Sequence, residues 1–144
     1  MRRLFLDANV LFSAAYKHDS AQGLLIELAA AGLITAISSA YAIEEARRNL
    51  IRKSPKSIQI WPNMLAVIAI APEPDTEHLA WAGAIVVAKD APVLASAVRA
   101  KVDWFMTGDR SDFGHLFSKT VRNVLVIPPA EAVRRLTAES ESGR

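Results

Sequence analysis

The sequence has no cysteine, which excludes disulfide bonds and metal sites built on thiolates. It also has little net charge, a formal +2 at pH 7, so it lacks the strongly basic composition of many nucleic-acid-binding proteins. No apolar run approaches the ~20 residues that a membrane-spanning helix needs, since the longest covers only residues 79–88. We therefore expect a protein that has no membrane segment and that tolerates a reducing compartment.

Residues 1–15 imitate a secretory signal peptide, because two arginines precede a stretch of apolar and small residues. Asp7 and Asn9 interrupt this stretch where a signal peptide is uniformly apolar. The segment is therefore expected to belong to the folded domain, and the protein to the cytoplasm.

What is present is the composition of a folded globular domain, with 51% apolar and 22% charged residues in a chain of 144. Short apolar runs, typical of buried strands, cover residues 2–7, 33–39, 66–72, 102–108 and 123–129. Helical patterns cover residues 10–16, 20–31, 39–53, 56–65, 75–85, 90–101 and 129–139. This alternation predicts a three-layer α/β/α sandwich around a central parallel sheet of about five strands. We expect a single domain over residues 1–137 and a frayed tail over residues 138–144.

A set of carboxylates lies at the ends of predicted strands or in the first turns of predicted helices. These residues are Asp7, Glu44, Glu45, Asp90, Asp109 and Asp112. In a parallel sheet, the carboxyl ends of strands meet the amino ends of the following helices at one edge, where ligands usually bind. We therefore expect these acids to converge, although a helix cap, a turn or an exposed helix face also explains each one taken alone.

Converging carboxylates repel one another unless protons or a cation neutralise them. Their oxygens favour a hard divalent cation such as Mg²⁺, and two such ions ~3.5–4 Å apart can promote phosphodiester hydrolysis. A softer metal is not expected, because cysteine is absent and His18, His78 and His115 are isolated in the sequence. No serine or histidine has the setting of a nucleophile, so metal-activated water is the expected one.

Three segments together resemble the PIN-domain nucleases, a family that includes the toxins of VapC-type toxin–antitoxin pairs. They are "LDANVLFSA", "EEARRNL" and "KDAPVLASAVRAKVDWFMTGDRSDF", the last of which joins an acid, a small-residue helix, a strand and a Thr-Gly-Asp turn. The resemblance covers residues 4–128, and its Thr-Gly-Asp turn is as close to the broader PIN branch as to the toxins. It implies Mg²⁺- or Mn²⁺-dependent endonucleolytic cleavage of RNA, a homodimer and an antitoxin partner.

The resemblance assigns catalytic positions to Asp7, Glu45, Asp90 and Asp109, and adds Asp112 as a further metal ligand. The spacing to the following leucine selects Glu45 over the glutamate before it. In this hypothesis Asp7 and Asp90 bind the main metal ion directly. Asp109 and Asp112 hold it through waters or hold a second ion, and Glu45 binds metal or orients the attacking water.

Polar and basic residues accompany these acids. Asn9 and Thr107 are expected to hydrogen-bond a carboxylate or a phosphate, or to act as turn residues. Arg48 and Arg52 follow the catalytic glutamate at helical spacing, and Arg110 lies between two acids, so these arginines are the expected RNA contacts. A solvated basic helix end explains the first two arginines equally well.

Other functions fit part of the pattern. A haloacid-dehalogenase-type phosphohydrolase needs a second acid two residues after the first, where this chain has Asn9, and no well-placed lysine precedes a late acidic pair. A receiver domain needs paired acids near the first strand and a lysine after a late strand, and neither is present. A catalytically inactive PIN module that binds RNA or regulates a partner has the same fold, and metal-dependent cleavage distinguishes it from an enzyme.

Overall fold

A computed structural model describes residues 1–142, and a six-stranded sheet forms the centre of this range. Its strands are β1 (Arg3–Leu6), β2 (Thr35–Ser38), β3 (Ile68–Ile70), β4 (Trp104–Met106), β5 (Lys119–Val121) and β6 (Val124–Ile127). The order across the sheet is β3-β2-β1-β4-β6-β5, and all neighbouring strands are parallel except β5 and β6. The predicted α/β fold with a mainly parallel sheet is confirmed, with one strand more than expected.

Helices connect and flank these strands. They are α1 (Ala8–Tyr16), α2 (Ala21–Ala30), α3 (Ala40–Lys53), α4 (Trp61–Leu65), α5 (Thr76–Gly83), α6 (Ala91–Arg99), α7 (Arg110–Phe113) and α8 (Pro129–Ser142). Ser20, Ser39 and Asp75 cap α2, α3 and α5, because each side chain accepts a hydrogen bond from the amide three residues later. None of the helices in residues 1–142 combines the length and hydrophobicity needed to cross a lipid bilayer.

The central strands β1 and β4 are buried by helices on both sides of the sheet. Phe5 and Phe105 face each other in register, and their rings stack with centroids 5.4 Å apart. Phe105 also contacts Phe113 of α7, with ring centroids 5.0 Å apart. Each fully buried side chain of this size contributes about 2–3 kcal/mol. This packing fixes the strand ends from which Asp7 and Thr107 emerge.

Different helices cover the two faces of the sheet. Connections between parallel strands are right-handed, so the path from β1 through β2 to β3, which moves one way across the sheet, places α1 to α4 on one face. The path from β3 through β4 to β6 moves the other way and places α5 to α7 on the opposite face. α8 packs against α2 and β4, and therefore returns to the first face. The predicted three layers are present.

The structure departs from the prediction in local details. β5 was not expected; it pairs with β6 through a turn at Arg122 and Asn123, whose φ angles of 45° and 69° fit a two-residue type I′ hairpin. The helix expected over residues 56–65 is split into a 3-10 segment, Pro55–Ile60, and α4. α8 continues to Ser142, so residues 138–142 are helical rather than frayed, and residues 143–144 of the expected tail lie outside the described residues.

Candidate functional site

The strand order reverses between β1 and β4, which lie side by side in the sheet. The chain leaves β1 toward one edge and leaves β4 toward the other, so a crevice opens above their carboxyl ends. Asp7 directly follows β1, and Thr107 directly follows β4. The fold thus places the first predicted acid, and a predicted supporting residue, where α/β proteins bind ligands.

Asp7 is almost fully buried, with 6% of its surface exposed, and three donors hold its carboxylate. The backbone N–H of Ala8 donates to Oδ1 at 2.9 Å. Asn9 Nδ2 and the Thr107 hydroxyl donate to Oδ2 at 3.0 and 2.9 Å. Asp7 is therefore fixed in one orientation, and Asn9 and Thr107 act as carboxylate partners.

The two partners of Asp7 are themselves held in place. The Thr107 hydroxyl accepts hydrogen bonds from Asn9 Nδ2 and from the backbone N–H of Asp109, both at 3.1 Å. The amide oxygen of Asn9 accepts from the backbone N–H of Gly108 at 2.8 Å. This network joins the start of α1 to the loop after β4, so the geometry of the acid does not depend on a mobile side chain.

Burial raises the pKa of Asp7 to about 6, which shows how costly its charge is in this position. Hydrogen bonds from Thr107, Ala8 and Asn9 favour the ionised form and limit the rise, whereas the charge of Glu45 adds to it. At neutral pH the Asp7 carboxylate is ionised, and its buried charge lowers the free energy of unfolding. A cation beside it would lower that cost.

A second group of acids lies next to Asp7. Asp90, Asp109 and Asp112 bring one carboxylate oxygen each to within 4.8 Å of one another. Asp90 lies directly before α6, and Asp109 caps α7 by accepting a hydrogen bond from the backbone N–H of Asp112 at 3.0 Å. Asp90 Oδ2 is buried and has no hydrogen-bond partner, whereas the buried Asp112 Oδ2 has the Lys89 ammonium 3.4 Å away. A buried acceptor is seldom left without a partner, so Asp90 Oδ2 is suited to a cation ligand role.

Asp90 and Asp112 influence each other's titration. Burial is the main cause that raises the pKa of Asp90 to about 7, and the Asp112 carboxylate raises it further. The close Asp90 carboxyl and the Lys89 ammonium lower the pKa of Asp112, while Asp112 in turn raises the pKa of Lys89. Lys89 Nζ lies 3.4 Å from Asp112 Oδ2. Without a cation, the two acids therefore share one proton near neutral pH.

A pocket of about 460 Å³ joins Asp7 to Asp90 and Asp109, and Asp112 lies outside its lining. The residues predicted to be catalytic all line it, namely Asp7, Glu45, Asp90 and Asp109. Lys53 and Lys89 contribute positive charge to the same lining. The expected convergence is therefore observed, whereas the catalytic role of each acid stays a prediction.

Glu44 and Glu45 are adjacent in sequence but have different surroundings in the structure. Glu45 is half-buried, lines the pocket and is close enough to raise the pKa of Asp7. Glu44 is exposed and pairs with Arg47 at 2.6 Å. Only Glu45 is placed to take part in chemistry at the pocket.

The three arginines predicted to contact RNA lie outside the pocket lining. Arg48 is 3.9 Å from the exposed Glu44, and Arg52 donates to Asn49 Oδ1 at 3.0 Å. The Arg110 guanidinium lies 5.7 Å from the centre of the Phe117 ring. The α3 residues that line the pocket, Glu45, Asn49 and Lys53, are four residues apart. Arg48 follows Glu45 by three residues and therefore lies beside this face of the helix. RNA contact by these arginines stays a prediction for the surface around the pocket.

Several lining residues were missed by the sequence analysis. Asn49 follows Glu45 by four residues, a spacing that was available in the sequence. Lys89 directly precedes Asp90, so adjacency was its only signal. Gln22 also lines the pocket, but α2 carries no motif that indicates it.

The donor set fits a hard divalent cation. Oxygen ligands on opposite sides of one Mg²⁺ ion lie about 4 Å apart. One oxygen each of Asp90, Asp109 and Asp112 lie within 4.8 Å of one another, which is close to that separation. The buried Oδ2 of Asp90 has no hydrogen-bond partner, and the potential ligands are oxygens only. A second group of potential ligands, Asp75, Glu77 and His78, lies in the first turn of α5, where exposed acids complement the helix dipole.

A larger pocket, of about 740 Å³, lies far from these acids, beside the amino end of β1 and along α2 and α8. Arg2 pairs there with Glu139 at 2.5 Å and lies over the Trp104 ring, 4.8 Å from its centre. Leu24, Leu28 and Leu136 supply apolar lining. This pocket is the weaker candidate despite its larger volume, because Arg2 and Glu139 in its lining already pair with each other.

The chain is thus an α/β protein with an acid-lined pocket at the switch point of its sheet. The family model described as "PIN domain" matches residues 3–111, so the chain belongs to the PIN-domain family. A chain from the crystal structure of VapBC2 from Rickettsia felis, bound to a DNA fragment from its promoter, is similar with a TM-score of 0.65. The two share 15% sequence identity over 88% of this chain and 98% of that chain, which shows a common fold. Comparison with curated proteins gives no match.

Proposed function

We propose that this protein is a Mg²⁺- or Mn²⁺-dependent endoribonuclease that hydrolyses RNA phosphodiester bonds with activated water. The observation that carries the proposal is the convergence of Asp90, Asp109 and Asp112, with a buried oxygen of Asp90 that has no hydrogen-bond partner. Membership of the PIN-domain family, whose members are generally nucleases, supports the same reaction class.

The residues that would hold the ion are Asp90, Asp109 and Asp112, together with Asp7, whose charge reaches Asp90 strongly enough to raise its pKa. A hard divalent cation supplies Lewis-acid activation of water and neutralises negative charge at the phosphate. Asn9 and the threonine after β4 keep the Asp7 carboxylate aimed into the pocket. Such fixed supporting hydrogen bonds orient metal ligands.

Glu45 is the candidate for handling the proton of the attacking water. It lines the same pocket as Asp7 and is only half-buried, so its carboxylate can orient a water molecule or accept its proton. Lys53 and Lys89 line the same pocket and can offset the charge of a phosphate. Arg48, Arg52 and Arg110 lie farther out, where they would contact phosphates along the RNA backbone.

The test is cleavage of a mixed pool of RNA by purified wild-type protein with Mn²⁺ or Mg²⁺ and with EDTA. Asp90→Asn and Asp109→Asn variants are assayed beside Asp19→Asn, which changes an exposed acid outside the pocket. We expect cleavage in the wild type and in Asp19→Asn, and none with EDTA or in the two pocket variants. Cleavage that persists in both pocket variants would place the activity elsewhere, and no cleavage by any form would favour an inactive RNA-binding module.

We propose further that the protein acts in the cytoplasm as a homodimer and is the toxin of a toxin–antitoxin pair. The support is the fold shared with a chain of VapBC2, whose structure contains DNA from its promoter. Light scattering coupled to size exclusion tests the dimer. Induced expression with and without a co-expressed neighbouring gene tests the toxin: growth arrest that the neighbour relieves supports it, and unimpaired growth argues against it.

A further inference from the structure

We propose that the groove between α1 and α3 binds single-stranded RNA, with one nucleobase stacked on the exposed ring of Tyr16. The proposal rests on the proposed function and adds a contact between one base of the substrate and an aromatic ring. It also assigns a substrate-binding role to a residue that lies outside the acidic cluster.

Two helices form the walls of this groove. α1 begins next to Asp7 and carries Phe12 into the pocket lining, about 7–8 Å farther along the helix axis. α3 carries Glu45 into the same lining and, two turns later, Lys53, whose Nζ lies 5.6 Å from the centre of the Phe12 ring. The groove therefore has an acidic end and an aromatic, cationic end.

Tyr16 continues the aromatic end beyond the pocket. It is the last residue of α1 and is 60% exposed, and its ring stacks on Phe12 with centroids 5.7 Å apart and planes 13° from parallel. Phe12 packs against the hydrophobic core and so supports the tyrosine ring from one side. The other side faces solvent. Single exposed tyrosines are common, but this one stacks on a ring that lines the pocket.

The chemistry of this end suits a nucleotide strand. Sequence-tolerant binding of single strands combines aromatic rings, on which bases stack, with cations that contact the backbone. Tyr16 supplies the ring, and Lys53 supplies a cation between the ring and the acids. The side-chain amides of Gln22 and Asn49 line the same pocket and can hydrogen-bond base edges. A base in a duplex is not free to stack, so the substrate must be unpaired at this position.

The first test is the affinity of a fluorescently labelled, unstructured oligoribonucleotide, measured by anisotropy in EDTA so that no cleavage occurs. Tyr16→Ala is expected to bind about tenfold more weakly than wild type, because stacking of one base contributes a factor of this order or more. Tyr16→Trp should bind as tightly as wild type. Leu33→Ala is the control, since Leu33 is 63% exposed and lines the other pocket, and its affinity should not change.

A scan of abasic substitutions along the oligonucleotide then identifies the stacked base. Wild-type protein should lose affinity at one position, and Tyr16→Ala should be indifferent to the base at that position. Equal sensitivity of both proteins at every position would overturn the stacking proposal, as would unchanged affinity of Tyr16→Ala.

The two proposals fail in distinguishable ways. Metal-dependent cleavage together with unchanged RNA affinity in Tyr16→Ala overturns the stacking platform and leaves the nuclease intact. RNA binding that depends on Tyr16 without any cleavage supports the platform and refutes the enzyme. Wild-type protein that neither binds nor cleaves RNA overturns both.

Discussion

The cost of the buried Asp7 charge predicts a pH-dependent stability in the metal-free protein. The folded-state pKa of about 6 exceeds the ordinary value of 3.8, so the native state binds the proton more tightly than the unfolded chain does. The free energy of unfolding therefore falls as pH rises from about 4 to about 6, and the loss persists above that window. The difference between the two pKa values corresponds to ~3 kcal/mol.

The substitution Asp7→Asn isolates this effect. The amide cannot accept all the hydrogen bonds that reach the carboxylate, which costs about 1–3 kcal/mol at every pH. The substitution also removes the cost of the buried charge, and wild-type Asp7 carries that charge mainly above its pKa of about 6. The free energy of unfolding of Asp7→Asn minus that of wild type should therefore increase by ~3 kcal/mol between pH 4 and pH 8. This increase does not depend on the difference at pH 4.

The assay is urea unfolding in EDTA, followed by circular dichroism at several pH values, for Asp7→Asn, Asp19→Asn and wild type. With a urea m-value of roughly 1–3 kcal/mol/M, ~3 kcal/mol corresponds to a change of roughly 1–3 M in the difference between urea midpoints. Asp19→Asn should show a constant difference from wild type, because its carboxylate is exposed. A constant difference for Asp7→Asn as well would refute the inference that burial makes the Asp7 charge costly.

Other predictions follow from the same site. Mn²⁺ should raise the melting temperature more at pH 8 than at pH 5.5, since protons compete for Asp7 and Asp90, and a flat response by thermal scanning would contradict this. Glu45→Gln should slow RNA cleavage by about 10²–10⁴-fold, whereas Glu44→Gln should not, in single-turnover assays; equal effects would remove the proposed role. Thr107→Val should weaken Mn²⁺ binding by about 10–100-fold in calorimetry, and unchanged affinity would show that the Asp7 orientation is not important.

The acidic positions were predictable because each lies next to a strong local signal. Asp7 directly follows a buried apolar run, and Asp90 directly precedes a helix rich in small residues. The convergence of such positions follows from the parallel sheet alone. The hydrogen bonds that join Asn9 to Thr107 were not predictable as a network, because they depend on the pairing of β1 with β4 across about 100 residues of chain.

The features that were missed have weak local signals. β5 is largely exposed at a sheet edge, and its hairpin places Arg122 at a positive φ angle where glycine or asparagine is usual, so no turn motif was visible. The aromatic end of the groove was missed because Phe12 and Tyr16 also fit a buried helix face. Only the packing of α1 beside α3 places Lys53 over the Phe12 ring.

The central claim, that the pocket acids form a metal site, is tested most directly by Mn²⁺ calorimetry at pH 8. Wild-type protein, Asp90→Asn and Glu77→Gln are compared, since Glu77 belongs to the other group of potential ligands. The structure predicts saturable binding that Asp90→Asn abolishes and Glu77→Gln leaves intact. Binding that survives in Asp90→Asn but is lost in Glu77→Gln, or no binding by the wild type, would contradict it.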